Sequence, residues 1–294
     1  MMATDCVERY LAPTGLAQAL AALAEPGGAV VLAGGTDLMP QINAGRLRPA
    51  TTLLNIRRVQ GLAAIALDGD SLVIGALATL AALRSDALVR LHAPLLVEAA
   101  DHFASDQIRN AATLGGNLCN ASPAGDTLPP LLALDAELGL ASLGEAGAVL
   151  ERRLPLAEFF VGPGRTRLAA GELLTAVRLP LPPAGRITRF CKAGTRPALD
   201  IATISLAFAA RRDDAGRLHE VHLALGAVAP IPLRARRAEA LLEGRVLDAA
   251  LAVEVARAAA GEATPIDDVR ATAWYRRELV HNLTRRMLND VAHA

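Results

Sequence analysis

The chain has 294 residues, 52% of them hydrophobic and 20% charged, with 30 basic residues against 30 acidic ones. That supplies apolar material for about two packed domains and argues against disorder. A net charge of zero leaves no electrostatic footprint for nucleic acid or an acidic membrane surface, and no run of about 18 apolar residues is free of charge or proline, so no spanning helix is expected.

In chain order, residues 14–24 read as a helix that Thr14 can cap, with Leu16, Ala19, Leu20 and Leu23 on one face and Pro26-Gly27-Gly28 as its stop. A short strand, Ala29–Ala33, runs into Gly34-Gly35-Thr36-Asp37. Thr52–Ile56 and Ser71–Ile74 are strands, with Leu62–Leu67 between them and a turn at Asp68-Gly69-Asp70. Helical patterns cover Leu80–Arg90 and Pro94–Ala104. A glycine-rich loop is expected over Ala112–Pro130, then a helical Leu131–Leu134 and paired strands at Glu137–Ser142 and Ala148–Arg152. The Pro-rich stretch at 179–185 marks a linker. Beyond it come strands Ile187–Cys191, Thr203–Arg211 and Leu218–Val228, then helices Arg236–Leu242, Ala249–Ala260 and Ala273–Asp290. Strands and helices are grouped rather than strictly alternating, which is an α+β pattern in two parts.

Cys6, Cys119 and Cys191 show no CxxC spacing, which disfavours a disulfide framework, a zinc site or an iron–sulfur cluster held by this chain alone. The six histidines show no metal spacing either, because His219 and His222 fall on opposite faces of a strand. No metal ligand and no catalytic acid–base pair is expected. Asp5 and Glu8 stand where a signal peptide would be apolar or basic, so the location expected is cytoplasmic.

Two constellations carry chemistry. In Val30–Leu38, a buried strand ends in two glycines, which offers successive main-chain N–H groups to a pyrophosphate with no side chain in the way. In Ala112–Leu118, Thr113, Gly115, Gly116 and Asn117 cluster again, with Asp126 downstream as an acceptor for ribose hydroxyls or as a helix cap. Neither is a GK[ST] phosphate loop nor a GxGxxG fingerprint. Lys192 is the only lysine in the chain, a compact point charge among arginine forks.

These two loops, about 80 residues apart, resemble those of the FAD-binding medium subunit of the molybdenum hydroxylases, the xanthine dehydrogenase and carbon monoxide dehydrogenase family. Phe159–Thr166, Gly171–Leu174, Lys192–Arg196 with Asp200–Ala202, and Ala273–Arg277 extend the likeness over essentially the whole chain. The resemblance implies a two-part FAD-binding domain of the vanillyl-alcohol-oxidase type over 1–180, with subdomains near 1–56 and 57–180. A C-terminal domain over 186–294 would hold a three-stranded antiparallel sheet and helices. It places FAD against Leu32, Ala33, Gly34, Gly35, Thr36 and Asp37 at the pyrophosphate, with Thr113, Gly115, Gly116 and Asn117 contributed by the second loop and Asp126 near the adenosine half. Phe103, Ala104 and Leu174 would line the cofactor, and Lys192 would lie close to the flavin ring.

The resemblance further implies an electron-transfer subunit of a heterotrimer, with molybdopterin on a large partner and two [2Fe–2S] clusters on a small one. No histidine stands in or beside the first loop, which points to noncovalent FAD. The extra cluster loop of the 4-hydroxybenzoyl-CoA reductase branch is not supplied by three scattered cysteines. Two other readings stay open at this level: a free-standing FAD oxidoreductase of the same fold, and a flavin-free assembly or interaction module.

Overall fold

The computed structural model describes residues 7–47, 51–196 and 199–293, so Asp5 and Cys6 lie outside the described residues. Its first layer is a parallel sheet of β1 (Arg9–Leu11), β2 (Val30–Leu32) and β3 (Thr52–Asn55), with β3 in the middle and fully buried. Parallel strands need crossover connections, and α1 (Leu16–Ala24) carries the chain from β1 past the position of β3 to β2, burying Ala19 and Leu20. Thr14 is not its cap; Gly15 holds that place, and the Gln18 side chain accepts the Gly15 amide. The strand β2 runs out through Gly34-Gly35 into the short α2 (Leu38–Asn43).

The second layer is antiparallel. It uses β4 (Ile65–Asp68), β5 (Ser71–Gly75), β6 (Glu137–Leu143), β7 (Val149–Pro155) and, after a small hairpin of β8 (Phe160–Gly162) and β9 (Arg165–Thr166), β10 (Leu173–Pro180), in the order β4-β5-β10-β6-β7. Between β5 and β6 the chain inserts α3 (Leu80–Ser85), α4 (Ala87–His92), α5 (Pro94–Asp101), α6 (Asp106–Ala111), α7 (Leu114–Asn120) and α8 (Leu128–Ala133); α9 (Leu156–Phe159) follows β7. The single helix expected over Leu80–Arg90 is broken at Asp86, whose carboxylate accepts the Leu88 and Val89 amides at 2.8 and 3.1 Å and starts α4. An aspartate that satisfies two orphan helix donors outweighs the apolar periodicity running through it. The helix expected to reach Ala104 stops at Asp101, and residues 102–105 form a turn. The glycine-rich loop expected over 112–130 is largely helical, because Thr113 caps α7 by accepting the Gly116 amide at 3.1 Å.

The third layer is an antiparallel sheet of β11 (Arg186–Ala193), β12 (Ile204–Arg212), β13 (Leu218–Gly226) and the two-residue β14 (Leu233–Arg234). The three expected strands are there, and β14 adds a fourth. The helices α10 (Arg236–Leu242), α11 (Ala249–Glu262) and α12 (Ala273–Ala292) cover one face.

Side chains alternate across a strand, and β12 uses that alternation twice. Ile204, Leu206, Phe208 and Ala210 pack under the three helices, whereas Ala207 and Ala209 belong to the core of the second layer. Small residues on that second face let α8 lie close to the sheet. At Gly226 the approach is closest: an added Cβ would overlap Ser205 Oγ and stand 2.8 Å from Pro129 Cγ. Gly226→Ala is therefore expected to lower the unfolding free energy by about 1–3 kcal/mol through overpacking, as read from denaturant titration. An unchanged midpoint would mean that this seam has slack the geometry does not show.

Candidate functional site

The three layers enclose a cavity of about 930 Å³. Its walls come from the loop after β2, from the helices inserted between β5 and β6, from Leu173 and Leu174 at the start of β10, and from Leu199–Ile201 after β11. Of the residues expected at the cofactor, Ala33, Gly34, Gly35, Thr36, Asp37, Phe103, Ala104, Thr113, Gly115, Gly116, Asn117, Asp126 and Leu174 line this one space.

Two expected residues do not line it. Leu32 turns toward its own loop, with Cδ1 only 3.0 Å from where a Gly35 Cβ would lie. Lys192 is committed elsewhere: its Nζ sits 2.7 Å from Asp126 Oδ2 and 3.0 Å from the His102 carbonyl, with both partners of the ion pair buried. A lysine so engaged braces the wall through Asp126.

Accounting for backbone donors separates the two loops. Among the described residues, the amides of Gly34, Gly35, Thr36 and Asp37 have no hydrogen-bond partner. These are four consecutive donors at the end of a strand, with Gly35 at φ +74° so that the chain can curl around a bound atom.

The second loop differs. The Leu114 amide donates to the Ala78 carbonyl, Gly115 to that of Ala76, Gly116 to the Thr113 hydroxyl, and Asn117 to the Thr113 carbonyl. Its main chain is spent on the fold, so these four amides are not open to a ligand. What it presents instead is side chains: the Thr113 hydroxyl proton and the Asn117 carboxamide, whose Oδ1 is held by Thr127 at 2.6 Å, leaving its N–H₂ group to donate.

Asp126 supplies the opposite polarity. It is 6% exposed, one oxygen pairs with Lys192, and the other, Oδ1, is buried with no partner. A buried carboxylate oxygen lacking a donor is costly, and a hydroxyl or N–H group of an occupant would satisfy it. Unpaired amides on one wall, an acceptor on another, and Phe103 and Leu174 as apolar surfaces suit a long ligand that carries an anion, hydroxyls and a flat apolar part.

A family model for the FAD binding domain in molybdopterin dehydrogenase matches residues 4–182, and a second, for the CO dehydrogenase flavoprotein C-terminal domain, matches residues 189–291. The chain belongs to this family. It is 33% identical over 282 residues to the xanthine dehydrogenase FAD-binding subunit of Escherichia coli O157:H7, covering 95% of this chain and 94% of the relative. It is 31% identical to the carbon monoxide dehydrogenase medium chain of Hydrogenophaga pseudoflava, covering 95% of each. The solved carbon monoxide dehydrogenase from that organism, in a form lacking the Mo-pyranopterin moiety of the molybdenum cofactor, superposes with a TM-score of 0.89 over 96% of both chains at 32% identity. Quinoline 2-oxidoreductase from Pseudomonas putida 86 gives 0.89 at 29% identity, over 97% of this chain and 96% of that one.

Sequence reasoning did not assign every residue of the cavity wall. Gln41 lies one helical turn beyond Asp37 and donates to its carboxylate, holding that side chain on the α2 side of the cavity. The i, i+4 spacing was the available signal. Cys119, an exposed free thiol, lines the cavity from α7. Leu199 and Ile201 reach the cavity from the third layer, and nothing in their local pattern signalled it.

Burial raises the Asp126 pKa to about 6, against the opposing pull of Lys192. The folded chain thus binds this proton more tightly than the unfolded chain, so stability falls as pH climbs from about 4 through about 6 and then levels. Relative to Asp126→Asn, the wild-type chain without ligand should lose unfolding free energy across that window, measured by denaturant titration at successive pH values. Parallel pH profiles for the two proteins would place the titration on another group.

Proposed function

We propose that this chain binds FAD without a covalent bond and serves as the electron-transfer subunit of a cytoplasmic molybdenum hydroxylase. A large partner subunit carries molybdopterin and a small one carries two [2Fe–2S] clusters. The observation that carries the reading is the pairing, in one cavity, of four unpartnered amides at Gly34–Asp37 with the unpartnered Asp126 Oδ1. A diphosphate satisfies the first and a sugar or ribityl hydroxyl the second. Each hydrogen bond to a charged group is worth about 1.5–3 kcal/mol, so four amides hold a diphosphate without a cation. That fits a cavity in which Lys192 is engaged with Asp126 and is not itself a lining residue.

In this reading Ala33 to Asp37 receive the diphosphate, with Leu32 behind them. Thr113 and Asn117 donate from side chains, while Gly115 and Gly116 keep α7 close to the wall. Asp126 accepts from a hydroxyl, and Phe103, Ala104 and Leu174 flank the ring system. FAD, when bound, accepts and releases one or two electrons, which suits it to stand between iron–sulfur clusters and a two-electron acceptor. The residues of this chain bind, orient and exclude water, and no acid–base pair is required of them. We also place the division between the FAD-binding region, with its two parts near 1–56 and 57–180, and the C-terminal region at about 180–186, where Pro182 and Pro183 separate β10 from β11.

The purified chain should be yellow and release one FAD on denaturation, and it should hydroxylate nothing until both partner subunits are added. Substrate turnover by the chain alone would defeat the subunit reading, and a colourless chain that takes up no FAD would defeat the cofactor reading. Gly35→Val forces a β-branched residue to φ +74° and sends its Cβ toward Leu32 and Met39. Flavin content should fall at least tenfold, by about 1.4 kcal/mol or more; full content would remove the first loop from the site.

A further inference from the structure

Three successive carbonyls, those of His102, Phe103 and Ala104, are each held by a cation. The His102 carbonyl takes Lys192 Nζ at 3.0 Å. The carbonyls of Phe103 and Ala104 both take Nη1 of Arg109, the latter at 2.9 Å, while Nη2 of the same guanidinium binds Asp106 Oδ1 at 2.6 Å. Arg109 is 8% exposed, on α6, and is not among the residues that line the large cavity. The segment it grips does line it: Phe103, half-buried against the main core, and Ala104, which sits at φ +39°. A side chain bearing Cβ pays an energetic penalty in that left-handed region, so something must hold Ala104 there. Two charge-assisted hydrogen bonds to flanking carbonyls do so. Because the C=O and N–H of a trans peptide point in opposite directions, turning these carbonyls toward Arg109 turns the Ala104 and Ser105 amides away from it. Neither amide has a partner among the described residues.

We propose that Arg109 is a positioning residue for the flavin: it clamps the Phe103–Ala104 turn in its strained conformation and so sets where the Phe103 ring and the Ala104 amide meet the cofactor. This rests on the reading of the cavity as the FAD site. Lysine cannot reproduce the planar fork that reaches two carbonyls and a carboxylate at once, yet it keeps the charge and a single donor nitrogen.

The test uses the full chain, titrated with FAD by flavin fluorescence and then reduced stepwise to obtain its midpoint potential. Arg109→Met should weaken FAD binding about tenfold or more, as expected when interacting neighbours are uncoupled, and should shift the potential of the flavin that remains bound. Arg109→Lys should fall between Met and wild type in both. Ala104→Gly in the Arg109→Met background should recover most of the lost affinity and potential, because glycine takes the left-handed turn without the clamp. If Arg109→Met lowers only the thermal midpoint, with affinity and potential unmoved, the proposal is overturned. It is also overturned if the double variant is no better than the single. A wild-type chain that takes up no FAD would instead remove the cofactor reading on which the clamp depends.

Discussion

The cavity exists because two pieces of backbone touch with no side chain between them. A Cβ on Gly34 would overlap the Ala111 carbonyl and lie 3.1 Å from Ala112 Cα, and one on Gly115 would lie 2.7 and 2.8 Å from Ala76 Cβ and its carbonyl oxygen. Gly34 thereby seats the end of the parallel sheet directly on the link between α6 and α7, and Gly115 seats α7 on the end of β5. Everything else at the site follows from that approach. The amides from Gly34 to Asp37 have no partner among the described residues, and these residues line the cavity. The amides of α7 are consumed in docking it to Ala76 and Ala78.

Both glycine pairs were legible in the sequence as a place where side chains are excluded, but the reason for the exclusion was not. A ligand phosphate and a neighbouring carbonyl impose the same demand on Cβ, and only the tertiary structure tells them apart. Gly35 answers to its positive φ and Gly116 to the Thr113 hydroxyl 2.8 Å from its missing Cβ, whereas Gly34 and Gly115 answer to other parts of the chain. Lys192 shows the same limit. Its rarity marked it as a residue with a task, and burial with Asp126 agrees with that, but its partners lie 66 and 90 positions away. Strand and helix types, by contrast, were set by local pattern wherever apolar periodicity was strong, as in α11, α12 and β11 to β13. Local pattern failed where a polar side chain cut across the period, as Asp86 does to the helix begun at Leu80.

The third layer does more than append a domain. Its β12 is buried on both faces, and polar bonds fix the sheet to the second layer around the same helices that wall the cavity. Glu98 on α5 accepts the Phe190 amide at 2.8 Å, His222 meets the Ala133 carbonyl at 2.7 Å, and Ala227 donates to the Pro123 carbonyl at 2.8 Å. Arg234 reaches Asp135 at 3.1 Å. A strand edge capped by a carboxylate is also an edge withheld from pairing with other chains.

Lys192 is therefore one of several ties, distinguished by reaching the loop that carries Asp126. That arrangement makes a buried carboxylate tolerable without fully satisfying it. Lys192 takes one oxygen and leaves the other bare, at a cost that a fully apolar wall would not incur. The same holds for the amides of Gly34 to Asp37, which have no partner among the described residues. A chain that leaves complementary donors and acceptors unmet around one cavity is incompletely folded in the energetic sense until that cavity is filled. An occupant present at a hundred times its dissociation constant would add about 2.7 kcal/mol to the folded state by mass action alone. The specificity lies in the geometry of the deficit: an anion fits the glycine loop, a hydroxyl fits Asp126, and neither fits the place of the other.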